Sequence, residues 1–522
     1  MKKILLIAMI TASVWQTGCK KSLDINNPNT PTTTTYWKTA DDAQKGVNAI
    51  YSTFHRPGLC RWLFFATLVR ADEGKSTSPN ADLQNNFDRF LITNYNYNEV
   101  TTIWTDDYVG IFRANQVLDN VPSIQMEATQ QKQLIAEAKF LRGFFYYNLA
   151  TLWGNVPLQL VTSKTTDLPP NATQAQVFAQ VEKDLTEAAP DLPVSYDNAN
   201  LGRATRGAAY GLLGKTYLQE HKYQEAVDAM KWLVEGEGRS VYDLMPNYRD
   251  NFVISSENNK ESVFEFQFAL NPNDAFDNDA GDGDPNHTPD RLNYGSSLPP
   301  FFAPRPIGFT DGQANRWVTR EFLKERTVTG QRDPRLAASF LYDSTDERGP
   351  QFTLVYGVPF DSLHYSTDTS KVPNTSDVYF RKFLNDYTDN GESFHSGNNY
   401  RFLRFADVLL MYAEALNGVG QTAAAYQFVD RVRARAGLES LSVVMPALNQ
   451  QQFLEQLKHE RITELSGEGH RWDDLARWGE LGPQLASRDA GFANFVVGKH
   501  EFFPIPQQDI DINPNLKQNP NY

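Results

Sequence analysis

Cysteine is almost missing from this chain: 522 residues carry two, Cys19 and Cys60. Once either is consumed by other chemistry, no internal disulfide can form and stability must come from packing. Long apolar runs are missing as well. The greasiest stretch, Ile4 to Val14, is shorter than the roughly 20 residues a bilayer-spanning helix needs. Basic residues are in deficit, 49 against 63 acidic, for a net charge of −14. Such a surface repels phosphate backbones, which makes nucleic acid a poor partner. The signatures of catalysis are absent too: no GxSxG elbow, no Walker loop and no Cys/His pairing.

What is present begins at the N-terminus. Lys2 and Lys3 precede the apolar stretch, and small residues follow it, which is how a secretory signal peptide reads. Thr17-Gly18-Cys19 then resembles the lipobox of bacterial lipoproteins, in which the thiol takes a diacylglycerol and the chain is cut before it. The resemblance implies that residues 1–18 are removed and that Cys19 is a lipid anchor, each buried CH2 contributing about 0.8 kcal/mol. An ordinary secreted protein with a chance cysteine is the alternative. Cleavage takes away only Lys2 and Lys3, so −14 becomes −16. Residues 19–35, rich in Asn, Pro and Thr, read as a tether. Cys60, beside Leu59 and Trp62-Leu63-Phe64-Phe65, reads as a buried, inert thiol.

Single hydrophobic cores stop growing at roughly 250–300 residues, so this length implies two domains or a helical array with a second lobe. Apolar residues recur at helical spacing over Asp41–Phe54, Trp104–Val121 and Gln131–Trp153. An internal repeat follows. Tyr210, Leu213, Gly214, Tyr217, Ala226, Met230 and Leu233 stand at the offsets of a tetratricopeptide hairpin, and Leu409, Tyr412, Ala413, Leu416, Ala425, Val429 and Val432 repeat them. Small residues at Gly214 and Ala226 let two helices approach closely. Between the repeats, residues 270–316 cluster Asn, Asp, Gly and Pro with no helical period, and 350–400 is turn and short-strand material. Long ordered loops tend to carry function. The expected fold is mainly α, a scaffold of tetratricopeptide-like hairpins with an irregular, loop-rich lobe. Its divisions are 36–235 and 236–522, with the insert at 270–400.

Several segments together resemble the SusD/RagB family of outer-membrane lipoproteins. They are Tyr36-Trp37, Arg113-Ala114-Asn115 and AEAKFLRGFFYYNLATLWGNVPL from Ala136, then Tyr400-Arg401 with Leu403-Arg404 and Tyr412-Ala413-Glu414-Ala415. Glu460-Arg461, GEGHRWDDLARWG from Gly467 and Phe503-Pro504-Ile505-Pro506 complete the set. The resemblance implies a protein tethered by Cys19 at the outer membrane, facing outward. It would lid a SusC-like TonB-dependent transporter and capture an oligosaccharide for import, with no cofactor and no bond made or broken. The scaffold would face the channel and the lobe the nutrient. A RagB-like peptide receptor is the first alternative, a surface glycoside hydrolase the second.

The charged motifs have plainer readings. His459-Glu460-Arg461-Ile462-Thr463-Glu464 lacks the second histidine of HExxH, so Glu460, Arg461 and Glu464 read as an ion-pair knot between C-terminal helices. Asp277, Asp279, Asp282 and Asp284 space oxygen donors like a calcium loop but lack the bidentate Glu at position twelve, so they read as a solvated acidic loop. For sugar binding, flat rings that stack on pyranose C–H groups are the positive feature, because they grip at low entropic cost. Two clusters qualify by context. One is Phe87, Tyr95 and Tyr97 with Arg70 and Asp72; the other is Tyr294, Phe301, Phe302 and Trp317. Burial in the core is the competing fate of each ring.

Overall fold

The structure, a computed structural model, describes residues 36–270, 294–342, 354–359, 377–388 and 391–522. Cys19, the leader 1–18, the tether 19–35 and the acidic run Asp277–Asp284 lie outside the described residues.

Nine described helices have twelve residues or more: α1 (Ala40–Tyr51), α2 (Asn98–Asn120), α3 (Ala128–Trp153), α4 (Gln174–Ala188), α5 (Arg206–Gln219), α6 (Tyr223–Val234), α7 (Phe405–Gly418), α8 (Thr422–Arg435) and α9 (Gln450–Leu465). Their starts follow from local chemistry. Thr39, Thr173 and Asn449 open α1, α4 and α9 with reciprocal capping boxes, each satisfying two otherwise unpaired backbone N–H groups.

The helices stack in chain order, α2 on α3 and so on through α6, and α6 then packs against α7, which holds α8 and α9. The two repeat hairpins, far apart in sequence, are therefore neighbours in one array, each covering the apolar face the other leaves open. The array runs without a break across residue 235. Gly214 is the close-approach point: a Cβ there would sit 2.4 Å from Met230 Cγ. Phe264 and Phe266, on the strand Ser262–Phe266, pack their rings against Phe54 and Phe144 of the array. That strand pairs antiparallel with Tyr400–Arg404.

The described part of the loop-rich lobe holds more regular structure than its composition indicates. It includes the short helices Leu298–Phe302, Arg316–Phe322 and Pro334–Ser339. Helices of five to seven residues span too few turns to show a period, and Pro299 and Pro300 sit in a first turn, where a missing N–H costs nothing. A second strand pair, Gly74–Ser76 with Gly312–Ala314, ties this lobe to the early chain.

Where lobe and array meet, charge is buried on a large scale. Fully buried Arg404 bonds to Glu261, to Glu464 at 3.1 Å and to Glu468 at 2.7 Å. Arg335 and Arg435 also reach Glu464, and Lys382 reaches Glu468 at 2.6 Å. Arg461 joins Asp407 and Asp474, which Arg477 ties on to Glu414. Burial pulls the Glu464 carboxyl upward, but the guanidinium groups of Arg435, Arg404 and Arg335 outweigh it and hold the group down to about 2. His470 shows the opposite balance, pushed down to about 4 mainly by burial. The Glu460–Arg461–Glu464 run is thus part of an ion-pair knot closing the C-terminal helices.

Candidate functional site

Six of the nine proposed contact residues are buried: Arg70, Asp72, Phe87, Tyr97, Phe301 and Phe302. Arg70 is fully buried, its guanidinium 4.1 Å from the Trp472 ring and 3.7 Å from Phe503, with Nη2 donating to the His500 carbonyl at 2.7 Å. Burial lowers its pKa to about 9. Asp72 accepts Arg471 in a two-pronged bond of 2.7 and 3.0 Å and also Arg488 at 2.9 Å. Phe87 lies between Trp62, Phe65 and Phe503, and Tyr97 packs on Phe87. Phe301 and Phe302 meet Phe65 from the other side. The physical reason is that both ring clusters pack on the buried Trp62–Phe65 stretch, while C-terminal residues Arg471, Trp472, Arg488 and Phe503 close over Arg70, Asp72 and Phe87. Trp104 is buried, as its place in a packing motif implies, and so is the Cys60 thiol.

Two more rings are half-covered. Tyr95 stands edge-on to Tyr522 at 5.6 Å. Trp317 donates its indole N–H to the Asp72 carbonyl at 2.7 Å, and the Arg488 guanidinium lies 4.5 Å from its ring. Of the nine, Tyr294 alone is open, 44 % exposed.

Tyr294 lies on a segment that meets the one bearing Phe394, and Phe394 belongs to a ring cluster that sequence reasoning did not assemble. Phe309, 43 % exposed, lies 5.7 Å from half-buried Phe394, and both rest on Phe301 at 5.5 and 6.1 Å. The Arg61 guanidinium supports Phe301 and Phe394 from below at 4.6 and 5.3 Å. Tyr294 itself meets the His55 ring edge-on at 5.7 Å, and His55 Nε2 is 2.9 Å from the Gln267 carbonyl. Burial holds the His55 imidazole below its usual pKa, so it is neutral at neutral pH.

The two segments bearing these rings are stapled together. Ser296 and Ser396 exchange backbone hydrogen bonds of 2.6 and 3.1 Å. Gly295 permits the approach, since a Cβ there would meet His395 Cα at 2.4 Å. Arg305 anchors its Nε on the Phe309 carbonyl at 3.0 Å and remains exposed. The signal for Phe309 and Phe394 was weak: each stands among Pro, Gly and Ser turn residues, as do many buried rings of this chain.

A metal reading fares poorly. Among the described residues Glu325, His459 and Glu460 bring ligand atoms within 4.8 Å of one another. The Arg433 guanidinium already bridges the two carboxylates, and His459 Nδ1 is engaged by Glu321 at 2.9 Å. A cation is therefore in place without an ion.

The SusD family model matches residues 243–522, more than half of the chain. The chain belongs to the SusD family. A second model, described as "Starch-binding associating with outer membrane", matches residues 66–218, and neither model is that of an enzyme family. The SusD-like protein P25 of Formosa agariphila is 28 % identical over 434 residues, covering 80 % of this chain and 78 % of its own. The starch-binding protein SusD of Bacteroides thetaiotaomicron is 23 % identical over 527 residues, with 87 % and 90 % covered. A SusD superfamily protein from Bacteroides vulgatus superposes with a TM-score of 0.79 at 26 % identity, covering 94 % of this chain and 100 % of that one. A laminarin-binding SusD-like protein gives 0.74 at 28 % identity, over 93 % and 100 %. Among the described residues no helix is long and apolar enough to cross a membrane.

Proposed function

We propose that this SusD-family chain is a surface-exposed outer-membrane lipoprotein that binds oligosaccharide through the Tyr294, Phe309 and Phe394 rings and delivers it to a SusC-like TonB-dependent transporter. The observation that carries the reading is a pair of open rings, Tyr294 and Phe309, the second packed on Phe394, with the segments of Tyr294 and Phe394 joined by a backbone staple. Flat faces of this kind offer stacking area to pyranose C–H groups at little ordering cost. The family's starch-binding and laminarin-binding relatives support a glycan ligand. Anchoring through Cys19 is supported by the leader's pattern and by the second family model's description. Open stacking sites bind modestly; millimolar to micromolar affinity, about −4 to −8 kcal/mol, suits a protein that must release its cargo.

The test is affinity electrophoresis against a panel of neutral polysaccharides, with wild type, Tyr294→Ala, Phe309→Ala and, as a control away from these rings, Trp317→Ala. Retention should fall in the first two variants and persist in the third. Retention by none of the glycans, with binding to a peptide library instead, would replace the sugar reading by a peptide one. Cys19→Ala should shift the protein from the membrane fraction to the soluble fraction, and an unchanged distribution would refute the anchor.

A further inference from the structure

A second concavity lies beyond the Tyr294 and Phe309 rings. It is a cavity of about 180 Å³ between the loop 194–205, the segment 258–260 and the strand Ser262–Phe266. At roughly 30 Å³ per water this is the space of about six waters, too small for a drug-sized ligand and suited to a single ring. Three charged residues line it, and all are already partnered. Arg203 pairs with Glu137 at 2.8 Å, Lys260 with Asp243 at 3.3 Å and Glu265 with Arg401 at 3.4 Å. A charged ligand would find no unmatched counter-ion. Hydroxyl groups, by contrast, are available: neither Ser195 Oγ nor Ser262 Oγ has a hydrogen-bond partner among the described residues. Leu201, 47 % exposed, supplies an apolar wall beside them.

We infer that this cavity is a separate binding site for one neutral polyhydroxylated ring, the size of a monosaccharide. Unpaired hydroxyls oriented by loop and strand, an apolar wall and balanced charges are the lining that such a ligand matches. The site is coupled in space to Tyr294. Gly202 abuts the Gln267 side chain, so close that a Cβ would meet Cγ at 2.2 Å, and the Gln267 carbonyl contacts His55, which meets Tyr294. Gln267 thus links Gly202, which lines the cavity, to His55, which touches Tyr294.

Saturation-transfer NMR with glucose, galactose, mannose and xylose tests the site, with glucuronate and glucosamine as charged controls. At least one neutral sugar should give a signal in wild type and in the Tyr294→Ala/Phe309→Ala double variant. Ser262→Leu, which fills the cavity, and Ser195→Leu, at an exposed loop position that cannot unfold the chain, should each weaken that sugar tenfold or more while polysaccharide retention persists. No signal from any neutral sugar, a stronger signal from either charged one, or a signal indifferent to both serine variants would overturn the site. Loss of signal in the ring double variant would overturn its separateness. Failure of polysaccharide retention in wild type would strike only the function proposed above.

Discussion

Replacing Asp88 by asparagine should flatten the dependence of stability on pH. Asp88 accepts the Ser76 N–H at 2.9 Å, and its carboxyl also faces that of Asp489, which accepts from Gly491 N–H at 2.7 Å and Asn315 Nδ2 at 2.6 Å. Both acids are more than nine-tenths buried, and two like charges in such a place cannot both ionise. Burial first, then the neighbouring acid, raises Asp88, while Arg89 only partly opposes; burial and nearby Asp72 raise Asp489 to about 6. A raised folded pKa means that the native state holds protons the unfolded chain has lost. The pair's stabilisation is therefore complete below the unfolded value near 4 and is lost as pH rises through 6 to 8. Asp88 is the group the substitution removes, and its rise from 3.8 to about 8 bounds the loss at roughly 6 kcal/mol at about 1.4 per unit. The amide introduced by Asp88→Asn would keep an oxygen for Ser76 and donate its N–H to Asp489, replacing the shared proton by a permanent donor. Urea unfolding of both proteins at intervals from pH 4.5 to 8.5 should show the variant gaining steadily, by several kcal/mol and at most roughly 6 at the upper end. Glu73, pushed up to about 8 by burial, titrates in both proteins and cancels in the difference. Parallel curves would refute the reasoning.

Arg404→Met should cost about 3–5 kcal/mol, because it strands the buried carboxylates of Glu261, Glu464 and Glu468; a loss below about 1 kcal/mol in urea unfolding would show that the knot is dispensable. Gly214→Val should cost about 1–3 kcal/mol by overpacking against Met230, and Met230→Ala in the same chain should recover part of it; no recovery would place the strain elsewhere. Cys60 should ignore a thiol reagent until the protein is unfolded, and rapid labelling of the native protein would contradict its burial.

Much of the scaffold was legible before the structure. Gly214 and Ala226 carry a helix-hairpin spacing that depends only on neighbours in sequence, and the Glu460–Arg461–Glu464 run places its charges at helical intervals on one element. The rings were not legible in the same way. Phe87 and Phe309 both stand among turn residues, yet one is sealed and the other open, because the difference is made by segments packed on them from elsewhere in the chain. Arg70 and Asp72 lie in a polar stretch that reads as surface, and the bond that buries Asp72 comes from Arg471, 399 positions away. The Ser296–Ser396 staple likewise joins distant segments, so nothing local announced that Phe309 would meet Phe394 or that the segment of Tyr294 would meet that of Phe394.

The Arg404 knot has a bearing on the surroundings in which the molecule works. Dissolved salt weakens ion pairs at a wet surface over distances of roughly 8–10 Å, but these partners are sealed from solvent. The junction of lobe and array is thereby indifferent to dissolved salt, whereas ion pairs at the rim weaken with every rise in ionic strength.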